Sequence, residues 1–276
     1  GLSLRQARQE SLTLRQPSYF ISHGGGPWPW IDDMRAALAP LEESLAALPA
    51  QLPEPPAAVL MISGHWEARE VRVMHAARPP MLYDYSNFPP HTYEITYPAP
   101  GAPELAEKTA QLIAEAGLPV ALDDGQGFDH GTFVPAYVMY PQADVPVFQV
   151  SMLESYDPAD HFRLGRALAP LRDVGVVIIG SGLSYHNLRL FGPGAQVPSA
   201  AFDAWLHETL ALPMAERTAR LLDWESAPHA RTCHAREDHL VPLFAALGAA
   251  EDAPATRVYH QEMVFGGVTA SSWRFG

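Results

Sequence analysis

The chain has 276 residues, enough to bury a full core, and no run approaches the ~20 apolar residues of a membrane span. Its net charge of −13, with no basic stripe, excludes a nucleic-acid-binding role built on phosphate neutralisation. The single cysteine, Cys233, excludes an internal disulfide framework and a thiolate-rich zinc site; the polar start has no signal-type apolar stretch, and a cytoplasmic enzyme is expected.

Residues 1–17 read as an N-terminal arm and 18–276 as one catalytic domain. Tyr19 to Ser22 makes a short buried strand, closed by His23 and the run Gly24-Gly25-Gly26-Pro27. Asp32 is suited to cap a helix running to about Leu48, with Met34, Leu38, Leu41, Leu45 and Leu48 at helical spacing. Ala57 to Ser63 is a β-type apolar run that leads into Gly64-His65-Trp66. A short strand at Val71 to His75 follows. The stretch Tyr83 to Pro100 is aromatic and proline-rich, lacks a period, and reads as a long functional loop or lid.

A helix is predicted over 103–117, a Gly/Asp loop at Asp123 to Thr132, and a strand at Pro146 to Ser151. A helix at 157–171 leads into Val174 to Gly180, the clearest buried strand of the chain. Helices are predicted at 199–210, 214–222 and 238–249, with Asp238 suited to cap the last. Val258 to Val264 and a tail ending Ser272-Trp273-Arg274-Phe275 close the chain. Strands alternating with helices, without repeat or linker, define a single α/β domain with a central, mostly parallel or mixed sheet flanked by helices.

The 12 histidines matter most by position. Phe20-Ile21-Ser22 is followed by His23, and Met61-Ile62-Ser63-Gly64 by His65. Val177 to Gly182 leads through small residues to His186. Ligands of open α/β sheets bind beyond the carboxyl ends of the strands, so the three imidazoles are expected to gather at one rim. A metal explains why they would be held together, because neutral imidazole donates a lone pair whereas protonated rings repel. Asp129-His130-Gly131 and Glu237-Asp238-His239 each set a histidine beside a carboxylate able to orient the ring or bind the metal. Cys233 and His234 read as loop residues. His75, His91, His161, His207, His229 and His260 take the same bland default, with His91 and His260 the first exceptions to test.

The segments SYFISHGGGPWPWID (18–32), ISGHWE (62–67), FDHGTFVP (128–135), GSGLSYHNLR (180–189) and REDHLVPLFAALGA (236–249) resemble the class III extradiol ring-cleavage dioxygenases. The resemblance is to the DOPA 4,5-dioxygenase-like branch of the protocatechuate 4,5-dioxygenase β-subunit superfamily, and it runs from about residue 18 to the end. It implies His23, His65 and His239 as metal ligands, His186 as the acid–base histidine, and His130 as a substrate-contacting one. Fe(II) is the expected cofactor, with Zn(II) able to occupy the same site, and a small catechol and O2 are the expected partners. The wider superfamily places glutamate third, whereas His239 stands here, so Glu237 or Asp238 remains open as a carboxylate donor, and His186 as a further ligand. In the implied mechanism His186 takes a catechol proton and returns one as the ring opens. Tyr83, Tyr85, Phe88, Tyr93 and Tyr97 either line an aromatic pocket or pack the lid.

Three rivals share these features. A zinc-dependent hydrolase would use the same histidines with metal-bound water. A serine hydrolase would use His23-Gly24-Gly25-Gly26 as an oxyanion hole, but the nucleophile elbow needs glycine two residues either side of serine, and neither Ser181 nor Ser63 has that. A non-enzymatic binding relative of the fold has no physical use for His186 beside the other three rings.

Overall fold

The computed structural model describes residues 15–276. The chain starts its core at once with β1 (Ser18–Ser22), buried throughout. Two helices follow where one was expected: α1 (Asp32–Ala37) and α2 (Ala39–Ala47). The break falls at Leu38, just before Pro40, which has no N–H to continue the ladder. Next come β2 (Ala58–Ser63), the short β3 (Glu67–Ala68) and β4 (Val71–Met74), then α3 (Pro103–Glu115), which buries Ala106, Thr109 and Ile113 along one face.

β5 (Val120–Asp123) precedes α4 (His130–Met139), a helix absent from the sequence-based expectation of a loop over Asp123 to Thr132. Its local signal is weak, with Gly131 at the second position and Pro135 inside; burial of nearly the whole helix compensates for poor propensity. β6 (Val147–Gln149), β7 (Met152–Leu153) and α5 (Pro158–Leu168) lead to β8 (Val176–Gly182). The Asp157 side chain caps α5 by accepting from the Asp160 N–H at 3.1 Å.

The last third holds α6 (Gln196–Leu210), α7 (Met214–Leu222), the single turn α8 (Ala230–Cys233) and α9 (Val241–Gly248). Asp238 therefore does not cap the last helix, which begins three residues later. Cys233 and His234 are not loop residues in solvent: both are fully buried, Cys233 within α8 and His234 directly after it. The chain closes with β9 (Ala255–Val264) and β10 (Val268–Phe275), so the expected tail is a full strand.

The six-stranded sheet has the order β6-β2-β8-β1-β10-β9. β6, β2, β8 and β1 are parallel, while β10 and β9 add an antiparallel edge. β8 is buried on both faces, which explains its continuous apolar run. Side chains alternate across a strand, so Gly180 and Gly182 face the α9 segment while Ser181 faces α4, its Oγ donating to the Gly131 carbonyl at 2.5 Å. The two helices thus cover opposite faces of the same strand. Among the described residues, no helix is long and apolar enough to cross a membrane. Most of the expected N-terminal arm, residues 1–14, lies outside the described residues; Gln16 pairs with Arg172, its N–H donating to the Arg172 carbonyl at 3.1 Å.

Candidate metal centre

Strands β1, β2 and β8 end side by side, and the residues that follow them build the site. The His23 N–H donates to the Gly182 carbonyl at 3.1 Å, and the Gly64 N–H to the Ser181 carbonyl at 2.9 Å. The segment carrying His239 comes in from the opposite end of the sequence and docks on β8, with the Leu183 N–H donating to the His239 carbonyl at 3.0 Å. Only glycine permits this approach: a Cβ on Gly182 would lie 2.1 Å from that carbonyl oxygen.

Five of the histidines singled out in the sequence meet here. Ring centroids of His23 lie 5.0 Å from His65 and 5.2 Å from His239, and those of His65 and His239 are 4.7 Å apart. His130 sits 4.0 Å from His65, and His186 stacks on His239 at 3.6 Å. Two donor groups result, each with ligand atoms within 4.8 Å of one another: His23, His65 and His130, and His186, Asp238 and His239. They are joined by the His65 and His239 Nε2 atoms, which face each other at 3.1 Å. Glu237 belongs to neither group and instead pairs with Arg231. His75, His91 and His260 lie outside the cluster; His91 Nε2 bonds the Trp30 carbonyl at 2.8 Å, which pins the lid to the Trp28–Trp30 turn. His161 is buried in α5, where its Nε2 accepts from the Leu153 N–H at 3.0 Å.

The residues fit a divalent cation. Both ring nitrogens of His23 are buried without a hydrogen-bond partner. Leaving such groups unpaired costs about 1–3 kcal/mol each, which an ion bound to the lone pairs offsets. Nitrogens held at about 2.0–2.1 Å from one ion lie about 3.0–3.4 Å apart, the range into which the His65–His239 pair falls. The rings are also in the right protonation state. Burial, reinforced by neighbouring imidazoles, holds His23 and His239 well below the usual histidine pKa. Burial and His130 bring His65 down to about 3, partly offset by Asp84.

Carboxylates orient these rings. Asp84 was not anticipated: its Oδ1 accepts from the His130 backbone N–H at 2.9 Å and pairs with His130 Nδ1 at 2.7 Å. Its Oδ2 lies 3.5 Å from His65 Nδ1. Burial pushes the Asp84 carboxyl up, yet the hydrogen bond and charge of His130 hold it below the ordinary carboxylate value. No local signal marks this residue, because it reaches the rings only when the lid folds back over the strand ends. Asp238 does the same from the other side, with Oδ2 3.2 Å from His239 Nδ1 and Oδ1 3.8 Å from His186 Nδ1. Beneath them Asp129 is fully buried, accepting from Ser63 Oγ and Gln149 Nε2 at 2.7 Å each. Burial and the Asp84 charge raise its pKa. Ser63 in turn accepts from the His65 N–H at 3.1 Å. Ser63 and Ser181 are thus both buried and committed as donors, and neither is a free nucleophile.

A cavity of about 570 Å³ opens over the cluster. From the lid it receives Asp84, Tyr85 and Phe88; Tyr83 and Tyr93 pack against Tyr85, and Tyr97 is buried with its hydroxyl donating to the Tyr140 carbonyl at 2.8 Å. The aromatic loop therefore divides between lining and packing.

A sheet whose parallel strand ends present neutral imidazoles and ring-orienting carboxylates to an open cavity defines a metal-dependent enzyme. Residues 19–276 match the family described as the catalytic LigB subunit of aromatic ring-opening dioxygenase, and the chain belongs to that family. It is an extradiol-type ring-cleaving dioxygenase, an oxidoreductase that incorporates O2. Similar proteins include the 4,5-DOPA dioxygenase extradiol of Beta vulgaris, 36% identical over 94% of this chain and 96% of that protein. The Escherichia coli K12 protein of the same name is 34% identical over 85% of each chain. The dioxygenase tasH of Hapsidospora irregularis is 36% identical over 89% of this chain and 82% of its own. Among solved structures, an uncharacterized protein from Escherichia coli K12 superposes with a TM-score of 0.77 at 29% identity, covering 95% of this chain and all of that one.

Proposed function

We propose that the unit spanning residues 18–276 opens a catechol ring next to its vicinal hydroxyls, with Fe(II) held by His23, His65 and His239. The observation that carries this reading is the set of buried ring nitrogens that face one another and have no other partner. His239 is favoured over His130 for the third position because its Nε2 faces His65 Nε2 at 3.1 Å, the spacing of two nitrogens on one ion. A metal held by His23, His65 and His239 would supply Lewis acidity toward the catechol hydroxyls and a place where ring and O2 could react as neighbours.

The chain's own residues supply the proton chemistry. Asp238 sits on the Nδ1 side of His186, which leaves Nε2 to take a hydroxyl proton from the catechol and return it as the ring opens. Burial keeps the His186 pKa below the usual value, although Asp238 partly offsets it, so the ring is neutral and ready to accept at pH 7. His130, fixed by Asp84, presents its Nε2 to the substrate. Tyr85 and Phe88 cover the cavity and exclude water. A cytoplasmic setting goes with this reading, because a reducing compartment preserves Fe(II).

The all-nitrogen donor set also suits zinc, which has no redox chemistry of its own. The test is anaerobic reconstitution with Fe(II) or Zn(II), then oxygen uptake and coloured ring-opened product with a catechol panel. The Fe(II) form is expected to consume one O2 per catechol and the Zn(II) form none. Hydrolytic activity of the Zn(II) form without catechol-dependent oxygen uptake by the Fe(II) form would instead select the zinc hydrolase.

A further inference from the structure

The glycine run after His23 carries two aromatic rings. A Cβ on Gly26 would sit 2.5 Å from the Phe88 ring, and one on Gly25 3.8 Å from the Phe265 ring. One ring arrives from the lid and the other from the β9–β10 turn, and both rest against backbone beside the first histidine. That turn is strained: Met263 and Phe265 stand at φ 58° and 49°, a region that non-glycine residues avoid and that concentrates at functional sites. Phe191 meets Phe265 edge-on at 6.2 Å, and Leu188, 71% exposed, completes the rim.

These side chains wall the outer part of the 570 Å³ cavity. A bare catechol fills little of such a volume, which is the size of a site for a drug-sized ligand. Among the described residues the lining contains no lysine or arginine, and its carboxylate is Asp84. Arg236, whose charge is felt at His186, directs its guanidinium to the Tyr156 hydroxyl and to Glu67. The chain as a whole carries −13, a field that lowers the local concentration of anions.

We propose that the substrate is a catechol bearing a bulky, uncharged apolar group, aryl or branched alkyl, seated among Phe88, Leu188, Phe191 and Phe265. Carboxylate-bearing catechols are correspondingly poor substrates, because among the described residues no lysine or arginine lines the cavity to meet the carboxylate, and its outer apolar walls desolvate it. This inference rests on the ring-opening reading and adds the part of the substrate beyond the ring.

The test uses the full chain loaded with Fe(II) and three probes: 4-phenylcatechol, catechol and 3,4-dihydroxyphenylacetate. The phenyl compound is expected to exceed the acetate at least about tenfold in kcat/KM, and in Kd measured anaerobically. Most of that gap should persist at high salt, since it arises inside the cavity and not from the screened long-range field. Phe265→Ala should lower the kcat/KM ratio of 4-phenylcatechol to catechol about tenfold. Leu188→Arg, at an exposed position that leaves folding intact, should narrow the phenyl-to-acetate gap about fivefold or more. Equal or better use of the acetate, in both kcat/KM and Kd, overturns the proposal. So do wild-type ratios in both variants. If no catechol consumes oxygen, the ring-opening reading falls, and the anaerobic Kd order alone decides what the cavity prefers.

Discussion

Titrating the metal-free protein with Zn(II) at pH 6 counts the protons carried by His23, His65 and His239, the proposed ligands. A histidine with its ordinary pKa of 6.5 is about three-quarters protonated at that pH, so three ordinary ligands would together release about two protons on binding. Here burial and mutual repulsion hold His23 and His239 well below 6.5 and bring His65 down to about 3. All three rings are then already neutral, and the expected release is close to zero. Calorimetry in two buffers of different ionisation enthalpy reads the number directly. The affinity should also stay nearly constant between pH 7 and 6. Release of about two protons per zinc, with affinity falling steeply over the same interval, would show that the rings are charged in the metal-free protein and that the preformed neutral cluster is wrong.

The same groups set an acid limit on the metal-free fold. Their folded pKa values lie below the unfolded ones, so nothing is gained or lost above about pH 7, and stability falls as pH drops below 6.5, where only the unfolded chain takes up protons. For these three rings the loss between pH 7 and 5.5 is about 4 kcal/mol, a drop in Tm on the order of 10 °C, readable by thermal melts. His186→Ala should retain one metal per chain by elemental analysis yet lower kcat at least about a hundredfold, whereas His23→Ala or His65→Ala should lose the metal. Asp84→Asn should keep the metal and lower kcat/KM about tenfold, because His130 loses its charged acceptor; an unchanged rate would remove Asp84 from the positioning role. Gly182→Ala should cost about 1–3 kcal/mol of stability and weaken zinc binding, since the new methyl meets the His239 carbonyl; an unchanged melt and Kd would refute that contact.

The parallel core was legible because β1, β2 and β8 are buried on both faces and therefore read as uninterrupted apolar runs. His23 and His65 stood out for the same reason, as polar residues directly beyond those runs. Elements whose stability comes from distant partners were harder to see. α4 has little helical propensity of its own and exists because α2, β2 and β8 pack against it. β10 read as a tail because its partners, β1 and β9, include one some 250 residues away in sequence. Asp84 was hidden within the lid: a carboxylate among aromatic and proline residues has no period, and its bond to His130 spans 46 residues. Asp238 was read both as a ring-orienting carboxylate and as a helix cap, and its geometry fits the first, because a carboxylate before an apolar helix looks the same in sequence whether it caps backbone or steers an imidazole.

The docking of His239 on Gly182, which also accepts from the His23 N–H, brings an early and a late segment of the polypeptide to one point. Residue 23 precedes nearly every other element and residue 239 follows most of them, so a fragment or nascent chain that stops short of residue 239 cannot present both rings. Competence to bind an ion through His23, His65 and His239 therefore reports that most of the architecture is in place, and during synthesis it arrives only after residue 239 has emerged.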